Sequence, residues 1–235
     1  GGAVLAASMA VTAFAWHGSR QELDRNRASE FEALTVETRL RLEERIAAYT
    51  QTLRGGAALF AAAGPVGRDG WRAYVAGLDL TASFPAISAM AFARMVTDAE
   101  LDGFVAEIRA DGAADFAVRP PGRRERYVVN IYAEPFIGAN VRALGYDMWQ
   151  DADRRITMER AARLGRPMIT ERVTLRVDEN ANPVPAFIMY MPVRLGHGGD
   201  IHGFVLSPFR MPSLMRDVMG RNADLLSLAI YDGAD

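Results

Sequence analysis

The segment around Asp147 has the residue types of a small-molecule binding site. Gly145 permits a sharp bend of the backbone, and Asp147 then lies among the aromatic and thioether side chains of Tyr146, Met148 and Trp149. A carboxylate directed into a mostly apolar cavity can orient a ligand that carries N–H donors. The same carboxylate can instead cap the turn that follows it through its own backbone. The sequence leaves these two roles of Asp147 open.

Two further polar clusters contain possible metal ligands. Asp151 and Asp153 form an acidic pair, but they open a predicted helix whose dipole favours carboxylates at that end. His197 and His202 flank Asp200, and two imidazoles with a carboxylate can bind a transition metal. Because glycine-rich turns between strands usually carry exposed polar residues, a solvated turn is the simpler interpretation. We therefore expect no metal site.

Four arginines surround the Pro-Pro-Gly turn at residues 120–122, namely Arg119, Arg123, Arg124 and Arg126. An anion or a lipid headgroup could bind to this group of guanidinium side chains. A solvated hairpin tip is the simpler interpretation. The sequence alone therefore assigns these arginines to the surface.

The composition excludes several classes of chemistry. The 235 residues contain no cysteine, which removes disulfides, thiolate metal sites and a cysteine nucleophile. They also contain no lysine, so a Walker-type phosphate loop and Schiff-base catalysis are absent. A formal net charge of −2 gives no bulk attraction to nucleic acid. We expect no catalytic residue, no cofactor and no nucleic-acid partner.

The two ends of the chain suggest a piece of a longer protein. Residues 1–19 carry no charged side chain and, as a helix, would span about 28 Å, close to the hydrocarbon thickness of a bilayer. This predicts a transmembrane anchor, although Ala13-Phe14-Ala15 also fits the cleavage site of a signal peptide. The continuation of the helix beyond this point favours the anchor. A strand predicted at Leu225–Tyr231 has nothing after it to pair with.

Residues 20–63 predict one long helix. Apolar side chains, among them Leu34, Leu42 and Ile46, recur at spacings of mostly three and four residues and form one stripe. The stripe can pack within its own chain or form the seam of a dimer, and both can hold.

The rest of the chain predicts an α+β fold with antiparallel strands. We expect one sheet domain at residues 64–199 and the start of a second at residues 200–235. Residues 116–119 and 126–133 should form a hairpin around the Pro-Pro-Gly turn. Further strands are predicted at 88–96, 172–177, 187–191 and 201–207, and helices at 97–110, 151–164 and 212–219.

The order of these segments resembles the CHASE domain, the extracellular sensory module of histidine kinases, nucleotide cyclases and diguanylate cyclases. The similarity runs from the first apolar segment to Asp235. It rests on Phe84-Pro85, Leu144-Gly145-Tyr146-Asp147, Arg154-Arg155, residues 161–175, Tyr190-Met191-Pro192-Val193 and residues 203–210.

The resemblance implies a definite architecture. A transmembrane helix leads into a long extracytoplasmic helix, along which the protein dimerises. Two PAS-like sheets follow, one distal to the membrane and one proximal to it, and then a second transmembrane helix. On this chain the anchor is residues 1–19, the dimer stalk 20–63, the distal ligand-binding domain 64–199, and the beginning of the proximal domain 200–235.

The resemblance also suggests where a ligand binds. Asp147 matches the aspartate with which plant cytokinin receptors hydrogen-bond an adenine-like ligand, and Ile169 matches an apolar residue of that pocket. Tyr190 lies on the strand that closes the pocket, where the plant receptors have a smaller residue, which argues against a ligand of cytokinin size.

The implied function is a periplasmic sensing module in the bacterial inner membrane, part of a sensor histidine kinase or diguanylate cyclase that binds a small molecule. A membrane-tethered or secreted enzyme whose catalytic residues lack a familiar pattern is one alternative. A dimerisation module without a ligand is another.

Overall fold

A computed structural model describes residues 2–175, 184–196 and 199–220. The chain divides into two units, Gly1–Ile46 and Ala47–Asp235. Helix α1 runs from Gly2 to Ala63 without a break, so the two predicted N-terminal helical segments are one element. It ends where Gly64 adopts a positive φ of 75° immediately before Pro65.

In the part of the chain that the structure describes, no helix is both long enough and apolar enough to cross a membrane. The membrane anchor expected at residues 1–19 is therefore not confirmed.

The second unit contains a five-stranded sheet whose neighbouring strands pair antiparallel, which confirms the predicted α+β class. The strands follow the spatial order β2-β1-β5-β4-β3. Their bounds are Met90–Thr97 for β1, Arg126–Glu134 for β2, Met168–Ile169 for β3, Ala186–Arg194 for β4 and Ile201–Arg210 for β5.

Strand β5 changes the expected domain boundary. We expected a second domain to begin at residue 200, but Ile201–Arg210 lies between β1 and β4 at the centre of the sheet. The strand predicted at Leu225–Tyr231 lies outside the described residues.

Helices pack on both faces of the sheet. On one face, Tyr49 and Phe60 of α1 contact Phe209 and Phe92, with ring centroids 4.9 and 4.0 Å apart. On the other face, α5 (Ala152–Leu164) buries Met158 and Ala161 in the core. The remaining helices are α2 (Arg68–Gly77), α3 (Leu80–Ser83), α4 (Leu101–Ala110), the 3₁₀ helix η1 (Gly138–Ala143) and α6 (Met211–Met219).

The bounds of α5 agree with the predicted helix at 151–164, whereas α4 ends at Ala110 as predicted but begins at Leu101, four residues after the predicted start. The Asp151 side chain caps α5 by accepting a hydrogen bond from the backbone of Arg154, and Gly165 ends the helix with a φ of 63°. Before α4, the Glu100 carboxylate accepts a hydrogen bond of 2.8 Å from the backbone N–H of Thr97. This bond lowers the pKa of Glu100.

The predicted hairpin of residues 116–119 with 126–133 does not form. The segment 145–148 lies between them: the backbone of Arg119 donates to the Gly145 carbonyl (2.8 Å), and that of Asn130 donates to the Tyr146 carbonyl (3.1 Å). The other edge of β2 pairs with β1. Because both edges of β2 already have partners, residues 116–119 cannot add to it directly.

Within the described part of the strand predicted at residues 172–177, Val173 forms an isolated bridge with Ala186, while β3 occupies Met168–Ile169. Residues 176–183 lie outside the described part of the chain.

Candidate ligand-binding site

Gly145 and Asp147 belong to the segment 145–148, which packs in space between Arg119 and strand β2. Gly145 has a φ of 78°, and a Cβ atom at this position would collide with the carbonyl oxygen of Ala117. Only glycine combines this backbone conformation with so close an approach. The bend brings the next residues against β2, where Met148 donates its backbone N–H to the Val128 carbonyl (2.9 Å).

The Asp147 side chain is completely buried and makes three hydrogen bonds. Its Oδ1 accepts from the backbone N–H groups of Val128 (2.9 Å) and Trp149 (3.0 Å), and its Oδ2 accepts from Arg124 Nη1 (2.7 Å). The bond from Trp149, two residues further along the chain, is the turn-capping role. The geometry supports that role and adds a buried ion pair to it.

Arg124 is the partner of Asp147 that sequence reasoning missed. We assigned it to an exposed turn, but its side chain is only 24% exposed. Its Nη2 donates to the carbonyl of Pro120 (3.0 Å), and its guanidinium lies over the ring of Tyr127. The arginine cluster was the only available signal, and no local spacing connects position 124 with position 147.

Tyr190 and Ile169 occupy different environments. Tyr190 is fully buried, packs edge-to-face on Phe204, and lies with its hydroxyl 3.3 Å from the Met148 sulfur. Burial strongly raises its pKa. Ile169 lies on the short strand β3 and is 41% exposed. The structure thus brings Tyr190 next to the Asp147 segment and leaves Ile169 near the surface.

Asp147, Ile169 and Tyr190 line none of the five open clefts that stand out among the described residues. The volume between the sheet and α5 is filled by side chains of the core, among them Met148, Met158 and Tyr190. A ligand pocket around these three residues stays a prediction.

An open cleft of about 770 Å³ lies where β1 ends and β5 begins, next to α5. We call it the sheet-end cleft. Its apolar lining includes Met95, Trp149, Met158, Ile201 and Phe204, and its charged or titratable lining comprises Arg94, Arg126, Glu100, Glu159, Asp200 and His202.

The rim of this cleft carries charges of both signs. Arg94 is held by Glu107 through a hydrogen bond of 2.7 Å. The His202 ring lies 5.8 Å from the ring of Phe92, and burial together with the nearby Arg94 lowers its pKa. His202 is therefore neutral near pH 7.

The possible metal ligands named from the sequence occupy other positions in the described part of the chain. Among the described residues, no three His, Cys, Asp or Glu side chains are grouped closely enough to hold a metal ion. His197 lies outside that part of the chain. Asp151 acts as the cap of α5 and forms an ion pair with Arg154 at 3.2 Å.

The family model described as the CHASE domain matches residues 64–235. No curated protein matches this chain. Among solved structures, the chain is similar to an extracellular ligand binding receptor from Desulfohalobium retbaense DSM5692, with a TM-score of 0.52 and 11% identity. That alignment covers 81% of this chain and 27% of the receptor.

A second similar structure is the ligand-binding domain of the Pseudomonas aeruginosa PAO1 amino acid chemoreceptor PctC, which was solved in complex with GABA. The TM-score is 0.48 and the identity 12%, over 79% of this chain and 65% of that domain. The chain therefore spans about a quarter of the length of the first structure and just under two thirds of the second. At 11% identity the similarity to the first structure shows the fold alone.

Proposed function

Because the chain belongs to the CHASE domain family, whose members are extracytoplasmic sensory domains and not enzymes, we propose that it is the ligand-sensing module of a bacterial transmembrane receptor. The receptor is a sensor histidine kinase or a diguanylate cyclase, anchored in the inner membrane by residues 1–19. The sensing module lies in the periplasm and acts as a homodimer along α1.

The sheet-end cleft is the observation that carries this proposal. Its volume of about 770 Å³ lies within the roughly 300–1,000 Å³ of most small-molecule sites. Its lining combines apolar side chains with charged groups at the rim, and such groups fix the orientation of a ligand. Trp149, which lines the cleft, donates its backbone N–H to Asp147. In this proposal Asp147 positions Trp149 through this hydrogen bond and does not itself line the site.

Strand β1 provides a mechanical connection from the cleft to α1. Arg94 and Met95 of β1 line the cleft, while Phe92 of the same strand stacks on Phe60 of α1. A ligand transmits a signal only if it binds one arrangement of these elements better than another. We infer that ligand binding shifts β1 against α1.

A thermal-shift screen of purines, amino acids and small organic acids tests the proposal. A true ligand at about 100 times its dissociation constant adds roughly 2.7 kcal/mol to the free energy of unfolding. We expect Trp149→Ala and Glu159→Gln to weaken the response, measured against the unliganded melting temperature of each variant. Ile156→Ala is the matched control, since Ile156 is exposed on α5 and does not line the cleft.

The screen also separates the alternatives. A response to purines favours the adenine-like ligand implied by the family resemblance. If no compound stabilises the protein, the ligand-free dimerisation module is the better account. A response that neither cleft variant weakens would place the ligand elsewhere and contradict the proposed site.

A further inference from the structure

A second, smaller cleft of about 310 Å³ lies beside the sheet-end cleft. We call it the arginine cleft. The two clefts share Arg126 and Trp149. The arginine cleft is lined by Arg124, Glu125, Arg126, Trp149, Gln150 and Arg155.

Two of its guanidinium groups have no carboxylate partner among the described residues. The Arg126 guanidinium makes no described hydrogen bond and lies 5.8 Å from the centre of the Trp149 ring. Arg155 makes one long hydrogen bond, of 3.4 Å, to the carbonyl of Trp149. Arg124 differs from both because Asp147 and the Pro120 carbonyl already occupy its terminal nitrogens. Arg126 and Arg155 therefore have N–H donors available to a ligand.

We propose that the arginine cleft binds the carboxylate of a small organic anion. Three guanidinium groups and only one carboxylate, that of Glu125, line the cleft, so its local charge favours an anion. A guanidinium can hold a carboxylate through two parallel hydrogen bonds. The planar or apolar part of the ligand lies against Trp149 and reaches toward the sheet-end cleft. This inference rests on the proposed sensing function and defines the chemical class of its ligand.

The position of the two arginines connects this anion to the rest of the fold. Arg126 begins β2, Arg155 lies in the first turns of α5, and Trp149 lies in the connection between them. The backbone N–H of Trp149 is bonded to the buried Asp147. A carboxylate held by both arginines therefore ties β2 to α5 at the mouth of the cleft.

The test uses three probes of nearly equal shape: benzoate, the neutral benzamide and the cationic benzylamine. Binding to the ¹⁵N-labelled protein is followed through the indole N–H resonance of Trp149, assigned with Trp149→Phe. Benzoate should shift this resonance with an affinity at least 10-fold above that of benzamide, since hydrogen bonds to charged groups are stronger than those to neutral groups. Benzylamine should not bind, because its charge has the same sign as the guanidinium groups.

Matched variants identify the residues responsible. Arg126→Gln and Arg155→Gln should each weaken benzoate binding about 10-fold or more. Arg163→Gln should leave it unchanged, because Arg163 is exposed on the same helix α5 and does not line the cleft. Melting temperatures of all three variants show whether the fold is retained.

Equal affinity for benzoate and benzamide would overturn the anion site. Failure of benzoate to bind, or benzoate binding that survives in both cleft variants, would overturn it as well. The proposed function fails by a different result, namely that no compound of the broad screen stabilises the protein. A neutral or cationic ligand that is sensitive to Trp149→Ala would preserve the sensing function and refute the anion site.

Discussion

Removal of the Asp147 carboxylate would leave the buried N–H group of Val128 and the part-buried donors of Trp149 and Arg124 without this acceptor. Breaking a buried ion pair by deleting one partner typically costs about 3–5 kcal/mol. We therefore expect Asp147→Ala to lower the free energy of unfolding by about that amount, measured by urea denaturation.

Asp153→Ala is the control for this experiment, because Asp153 is an exposed acidic residue in the first turn of α5. It should cost less than about 1 kcal/mol. If Asp147→Ala instead lowers the free energy of unfolding as little as the control does and abolishes the response to a ligand, the result would support the ligand-anchoring role of Asp147.

His202 makes stability dependent on pH. Its pKa is lowered in the folded protein by burial and by Arg94, with Glu107 opposing, so below about pH 6.5 the unfolded chain binds the proton more readily. The neutral imidazole therefore makes its full contribution to the free energy of unfolding above that pH. This contribution is lost as the pH falls toward the pKa that His202 has in the folded protein. We expect the urea concentration at the midpoint of unfolding to decrease when the pH is lowered from 7.5 to 5.5.

The comparison that isolates this effect is His202→Gln, which should flatten the pH dependence in that window. His17 and His197 are present in both proteins, so their contributions cancel. A pH dependence unchanged by the substitution would show that His202 is solvated and titrates normally.

At the scale of elements, α1 has a second group of apolar side chains beside the predicted stripe. Leu34, Leu42 and Ile46, the predicted stripe, are already half-buried within a single chain. Val36 and Leu40 are more than half exposed, and they lie four residues apart on one side of the helix. A second copy of the chain can therefore cover Val36 and Leu40 more readily than the predicted stripe.

Two substitutions distinguish these faces of α1. Leu40→Glu should convert the proposed dimer to a monomer, measured by light scattering, because the burial of each apolar side chain contributes about 1.5–3 kcal/mol. Leu42→Glu should mainly lower the melting temperature. The reverse result, a monomeric Leu42→Glu and a dimeric Leu40→Glu, would support the stripe predicted from the sequence.

At the scale of the whole molecule, the remaining prediction concerns topology. The family places the matched residues 64–235 outside the cytoplasm, and we expect residues 1–19 to hold them at the inner membrane. Alkaline phosphatase fused after Asp235 should be active, and the fusion should remain with the membrane fraction after washing in high salt.

A variant in which a cleavable signal peptide replaces residues 1–19 is the matched control, and it should be released from the periplasm in soluble form. Release of the original protein with a new N-terminus at Trp16 would instead establish a cleaved signal. The phosphatase should be active in both cases, so fractionation and N-terminal sequencing decide between them.

Features that depend on neighbouring residues could be predicted from the sequence by itself. The caps of α5 at Asp151 and Gly165 and the bend at Gly145 depend on contacts within a few residues or on one backbone dihedral angle. The α+β class follows from the alternation of such segments. The family could be identified from the order of short segments along the chain.

Features that join distant parts of the chain were decided by the tertiary structure alone. The central position of β5 depends on its pairing with β1, more than 100 residues earlier, and no local pattern specifies that partner. The Arg124–Asp147 pair depends on the insertion of residues 145–148 beside β2. Tyr190 was predicted as a pocket residue because its strand was recognised, but whether its ring lines a cavity or fills the core depends on packing by Met148 and Phe204.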